Sequence, residues 1–174
     1  MCGHDADTGT YTMTQPPEAL GGGRMRRDDI AAAIAFALRH LHDLEDLDVL
    51  ENSPLARTPL IRRRAATSTL LFAAATALRD ELIDIVAATL ARLPVGRPTD
   101  GLQRMRVTLA GVALDGRSIA SLATEHGRRR EVWSRGPWRR AVALVVDEFI
   151  QRNTEAGRTR HPASEATTPP AARP

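Results

Sequence analysis

Apolar residues recur along the middle of this chain at steps of three and four, the spacing that lines one face of an α-helix. Ile30, Ile34, Ala37 and Leu41 form the first stripe, within a segment from Asp28 to Asp43 whose two leading acids suit the positive end of a helix dipole. Leu44, Leu47 and Leu50 predict a short second helix in an acidic stretch, which Asn52, Ser53 and Pro54 break. The next helix is expected to be the longest. Pro59 fits its first turn, where a missing N–H costs little. Thr67, Ser68 and Thr69 mark a kink or break, and Leu71, Ala75, Leu78, Leu82, Val86, Leu90 and Leu93 run as one stripe to the end. Pro94, Gly96 and Pro98 then make the clearest boundary in the chain.

Beyond that boundary, Leu102, Met105, Leu109 and Val112 predict a helix from Thr99 to Ala113, closed by a turn at Asp115 and Gly116. Ser118 is placed to cap a short helix reaching His126, with Ile119, Leu122 and Ala123 inward, and Gly127 stops it. Another short helix spans Arg129 to Arg135. Gly136-Pro137 is expected to interrupt the chain before a last helix, Trp138 to Arg152, that buries Val142, Val145, Val146, Phe149 and Ile150. The two ends carry no apolar periodicity. Pro16, Pro17 and Gly21 to Gly23 at one end, and Pro169, Pro170 and Pro174 at the other, predict disorder. The expected division is a tail over 1–27, a helical interaction or dimerisation unit over 28–96, a second helical unit over 97–152 and a tail over 153–174.

A chain of 174 residues is long enough for one domain, or for two small helical units sharing a core. Aromatic residues are only 3% of it, so that core must be built from Leu, Ile, Val and Ala. Cys2 is the single cysteine, which excludes an internal disulfide and a Cys-rich zinc site. No apolar run reaches membrane-spanning length and no signal-peptide core leads the chain, so a cytoplasmic protein is expected. All 24 basic residues are Arg. A GC-rich genome alone produces that bias, so the placement of the arginines carries more information than their number.

The stretch from Ile119 to Trp138 has the make-up of two helices crossing at a tight turn. Such a turn needs a small residue inside the first helix and a Gly just after it, and Ala123 and Gly127 stand at that spacing. Leu122 and Trp133 stand at core positions. The string Ser118-Ile119 through Ala123, Glu125 and Gly127, then Arg130-Glu131-Val132 and Ser134-Arg135, resembles bacterial, actinobacterial-type helix-turn-helix regulators of the sigma-factor region 4 kind. Leu38 to Asp43 and Ser53 to Ala56 are similar to helical segments that precede such motifs. The motif is degenerate, because its pattern wants apolar residues where His126, Arg128 and Gly136 stand. The fold class implied is all-α: a helical bundle with a C-terminal helix-turn-helix and disordered termini.

Charge placement agrees with contact to double-stranded DNA. From Arg104 to Arg140 there are nine Arg against three acids, whereas from Asp28 to Gly96 there are seven Arg against ten acids. A basic footprint on one motif is what phosphate contact requires. In the resemblance, Arg129, Arg130, Val132, Ser134 and Arg135 occupy the recognition helix, where an Arg can grip guanine O6 and N7. Arg128, Arg139 and Arg140 are assigned to phosphates, which position without specifying.

Other signals carry less. Met1-Cys2-Gly3 is like the start of a glutamine amidotransferase, which needs a larger, layered β fold. His40 and His42 are two apart and on a helix point away from each other. Asp43, Glu45, Asp46 and Asp48 lack the Gly and closing Glu of an EF-hand loop. No P-loop, nucleophile elbow or paired metal-ligand motif is present, so no enzyme, cofactor or metal is expected. The expected function is a DNA-binding transcriptional regulator that self-associates, or holds a protein partner, through residues 28–96. The alternative is a non-enzymatic helical adaptor of the same shape that has lost DNA binding.

Overall fold

The acids at one end of the first apolar stripe and the bases at the other fit a helix, and the computed structural model places one there. It describes residues 25–42, 47–95 and 101–159. Helix α1 runs Arg27–His40, with Asp28 and Asp29 in its first turn and Arg39 and His40 in its last. Both signs sit where the helix dipole favours them. The short α2, Leu47–Glu51, leads to a 3₁₀ turn, Pro54–Arg57, whose N-terminus is capped by the Ser53 hydroxyl accepting from Leu55 N–H. Helix α3, Pro59–Ala65, opens on Pro59 as expected. Residues 1–24 of the expected tail over 1–27, residues 160–174 of the expected tail over 153–174, the acids Asp43, Glu45 and Asp46, and the linker from Gly96 to Asp100 lie outside the described residues.

The single long helix expected from Pro59 is in fact two. The chain leaves α3 after Ala65 and re-enters helix at Ala73, and α4 is Ala73–Arg92. Thr67 to Thr69 thus mark a full break. Phe72, at φ 57°, is the only non-Gly residue in the left-handed region among the described residues. Leu71 precedes this reversal, so the helical register never reaches it. It is 84% exposed rather than at the head of a core stripe. The rest of that stripe, Ala75 to Leu93, is buried as the spacing predicts. Glu51, from the end of α2, supplies a carboxylate oxygen 2.7 Å from Ala75 N and so covers an orphan donor at the start of α4.

After the linker come α5, Gly101–Ala113, and α6, Ile119–Glu125. Then α7, Arg130–Trp133, runs through one wide π turn, Ser134–Trp138, into α8, Arg139–Arg158. The expected interruption at Gly136-Pro137 is absent. Pro137 cannot donate and its ring crowds the carbonyl four residues back. The chain absorbs this by widening one turn, so that Arg139 N–H reaches the Ser134 carbonyl five residues back. The last helix also outruns its expected end at Arg152 by six residues. At 20 residues it equals α4, which is therefore not the longest. Asn153, expected to begin a tail, instead accepts a hydrogen bond from Leu60 N at 3.0 Å and covers the start of α3.

One apolar cluster joins the two expected units. Ile34 and Leu38 of α1, Leu78, Leu82 and Ile85 of α4, Leu109 of α5, Leu122 of α6, Trp133 of α7, and Val145 and Phe149 of α8 all belong to it. Each of these large side chains contributes roughly 1.5–3 kcal/mol by leaving water. Helix α8 lies against α1, α3, α4 and α5, so residues 139–158 are the central post of an all-α helical bundle. Leu102, expected to face inward, is half-exposed at the first turn of α5.

Candidate nucleic-acid interface

The unit formed by α6, its turn and α7 is built from local rules that can be followed residue by residue. Ser118 caps α6, its hydroxyl accepting from Ser121 N–H at 3.0 Å. At the other end Gly127 has φ 59°, the left-handed conformation that closes a helix most cheaply at Gly. Gly127 N–H donates to Thr124 O at 3.0 Å and Arg128 N–H to Ala123 O at 2.8 Å, the paired bonds of a Schellman closure. Gly111 on α5 lets α6 approach closely, since a Cβ there would lie 2.9 Å from a methyl of Leu122. Of the four residues expected to form the motif's core, Leu122, Ala123 and Trp133 are buried and Gly127 makes the turn.

The three positions where an apolar residue was wanted resolve differently. The His126 ring stacks on the Trp133 indole, with centroids 5.0 Å apart and planes 4° from parallel, so an aromatic face does the packing. Arg128 is exposed and does not anchor the two helices. Gly136 is half-buried inside the π turn. Both His126 Nε2 and Trp133 Nε1 are buried without a hydrogen-bond partner, an arrangement that costs about 1–3 kcal/mol per group. Trp138 is buried in the π turn, and the Arg39 guanidinium lies 5.7 Å from its ring centre.

The arginines divide into two sets. Arg106 donates to the carbonyl of Leu90 and, at 3.0 Å, to that of Leu93, closing the end of α4. Arg117 pairs with Glu125, and its hydrogen bond holds the Glu125 carboxyl below its ordinary value. These two are structural. The other seven of the basic stretch are Arg104, Arg128, Arg129, Arg130, Arg135, Arg139 and Arg140. None of them has a carboxylate at ion-pair distance among the described residues. Arg129, Arg130, Arg135 and Arg139 are exposed on α7, the π turn and the start of α8, whereas Ser134 is half-buried. Glu131 and Arg135 flank Trp133 two residues to either side, so they project away from the core.

Arg128 and Arg140 line a cleft of about 340 Å³ and are joined there by Arg104 of α5. Sequence reasoning counted Arg104 in the basic stretch but gave it no role. Its spacing says which face of α5 it occupies, not which element that face meets. His40 lies against Phe36, with ring centroids 4.5 Å apart and planes tilted by 36°, and the His42 ring lies over Gly116. Among the described residues no helix is long and apolar enough to cross a membrane. In comparison with known proteins, the chain matches no family model, no curated protein and no solved structure.

Proposed function

We propose that this chain is a non-enzymatic, DNA-binding transcriptional regulator that reads duplex DNA with a helix-turn-helix made of α6, the Gly127 turn and α7. The observation that carries the proposal is the clustering on that unit of arginines that no carboxylate among the described residues answers. Elsewhere in the molecule Arg27, Arg64, Arg92 and Arg152 are tied to acids, while Arg57, Arg62 and Arg63 have none at ion-pair distance among the described residues. Arg129, Arg130 and Arg135 are assigned to base edges, and Arg128, Arg139 and Arg140 to phosphates. Continuity of α7 with α8 gives the reading helix a rigid root in the core, which favours precise placement of its side chains.

The test separates the two kinds of contact. Replacing Arg128, Arg139 and Arg140 together by Ala should weaken binding to every duplex alike and flatten its salt dependence, by about 0.9 in slope per lost phosphate contact. Arg130→Ala should instead lose discrimination at particular base pairs, by roughly 1–3 kcal/mol. Equal loss in both variants, independent of sequence, would leave only non-specific attraction.

A second reading, a helical adaptor holding a protein partner or a second copy through residues 28–96, is favoured by one observation. Leu70, Leu71 and Phe72 are consecutive and 62%, 84% and 41% exposed. Sedimentation of the full chain distinguishes self-association there: Leu71→Ser should shift a dimer toward monomer, and an unchanged profile counts against it.

A further inference from the structure

The cleft between the start of α5 and the rod begun by α7 gathers positive charge without neutralising it. Arg104, Arg128 and Arg140 line it beside Val132 and Trp133, and no acid among the described residues does. The Arg140 guanidinium reaches the first residue of α5, with Nη1 3.6 Å from where a Cβ on Gly101 would stand. Like charges facing one space repel, and an anion between them turns that cost into attraction. Guanidinium groups present forked donors that match pairs of phosphate oxygens. Trp133, which also lines the cleft, is only 1% exposed and keeps an indole N–H with no acceptor. A cleft of about 340 Å³ is within the range that holds small ligands.

We infer that this cleft is a phosphate site, in which Arg104 of α5 closes on a phosphate group held from the other side by Arg128 and Arg140. The site stands on its own geometry and does not require that the chain read DNA. The phosphate can belong to a duplex backbone or to a free phosphorylated compound, and the chemistry of recognition is the same.

The probe is inorganic pyrophosphate, titrated into the ¹⁵N-labelled full chain at physiological salt. The readout is the Trp133 indole N–H resonance, assigned with Trp133→Phe. A saturable shift is expected. Arg104→Gln should weaken it about tenfold, the loss of one charge-assisted hydrogen bond. Arg140→Gln should do likewise and replaces it if R104Q loses helix by circular dichroism. Arg62→Gln, an exposed change on α3, should leave the titration unaltered. A shift that does not saturate, or one weakened equally by R62Q, overturns the site. Duplex titrations of R104Q then name the source. A salt slope reduced by about 0.9 assigns the phosphate to DNA, and an unchanged slope assigns it to a free compound. Saturable pyrophosphate binding in a chain that selects no duplex sequence would retire the DNA reader while retaining the phosphate site.

Discussion

Where α3, α4 and α8 meet, arginines and acids are matched. Glu81, 6% exposed, accepts from Arg64 at 2.7 Å and from Arg152 at 2.9 Å. Arg64 also reaches Asp84, and Arg152 and Arg92 both reach Glu148. Around α7 the same residue type has no carboxylate at ion-pair distance among the described residues, and two buried ring nitrogens, His126 Nε2 and Trp133 Nε1, lack partners. The two regions share one apolar cluster, so the difference is not one of folding quality. A polar group that is matched within the molecule contributes to its stability. One that is left unmatched at the surface is open to a partner, and buried orphans cluster where a structure serves something besides its own stability.

The comparison can be broken at several points. The largest effect is expected from Trp133→Ala, which removes a fully buried ring from beneath α7. It should cost about 3–5 kcal/mol in denaturant unfolding, and it should remove DNA and phosphate binding together. If binding survived it, the arginines would not depend on the fold that presents them. Next comes Glu81→Gln, which leaves Arg64 and Arg152 facing a neutral amide. Both arginines keep some contact with water, so a loss of roughly 1–3 kcal/mol is expected with DNA binding intact. Loss of binding at unchanged stability would show that the matched region also serves the interface.

Gly127→Ala should cost about 1–2 kcal/mol, read as a lowered denaturation midpoint. Nothing lies within 4 Å of the added Cβ, so the whole effect is the left-handed backbone. The smallest effect concerns pH. Hydrogen bonds from Arg152 and then Arg92 hold the Glu148 carboxyl below its ordinary value of 4.5. A depressed folded-state pKa gives stability that is present above 4.5 and is lost as pH falls through the folded value. Glu148→Gln should lower stability near neutral pH and flatten its fall in acid. An unchanged acid profile would mean that Glu148 contributes nothing to the matched region.

Much of the bundle was legible because steps of three and four say which residues face inward. Ile34, Leu78, Leu82, Leu109, Val145 and Phe149 are all fully buried at the spacing that predicts it. The turn was legible too, since Ser118 and Gly127 act through their own backbone neighbourhood. What escaped was whatever depends on two distant segments or on competition between local rules. Pro137 reads as a break, yet a π turn and the buried Trp138 hold the helix together. Leu71 fits the stripe, yet a reversed backbone at Phe72 removes it. Asn153 reads as tail until Leu60, far away in sequence, meets it. His126 breaks the apolar pattern but meets its need by stacking, and Arg104 joins Arg128 only once α5 is folded against the π turn and α8.

The most direct test of the central claim is a selection from random duplexes with the full chain, followed by titration of the enriched duplex at physiological salt. A reader with Arg129, Arg130 and Arg135 at base edges should return an enriched sequence that outlasts physiological salt, with one enriched position lost on Arg130→Ala. No enriched sequence, together with binding that vanishes at physiological salt, would contradict it.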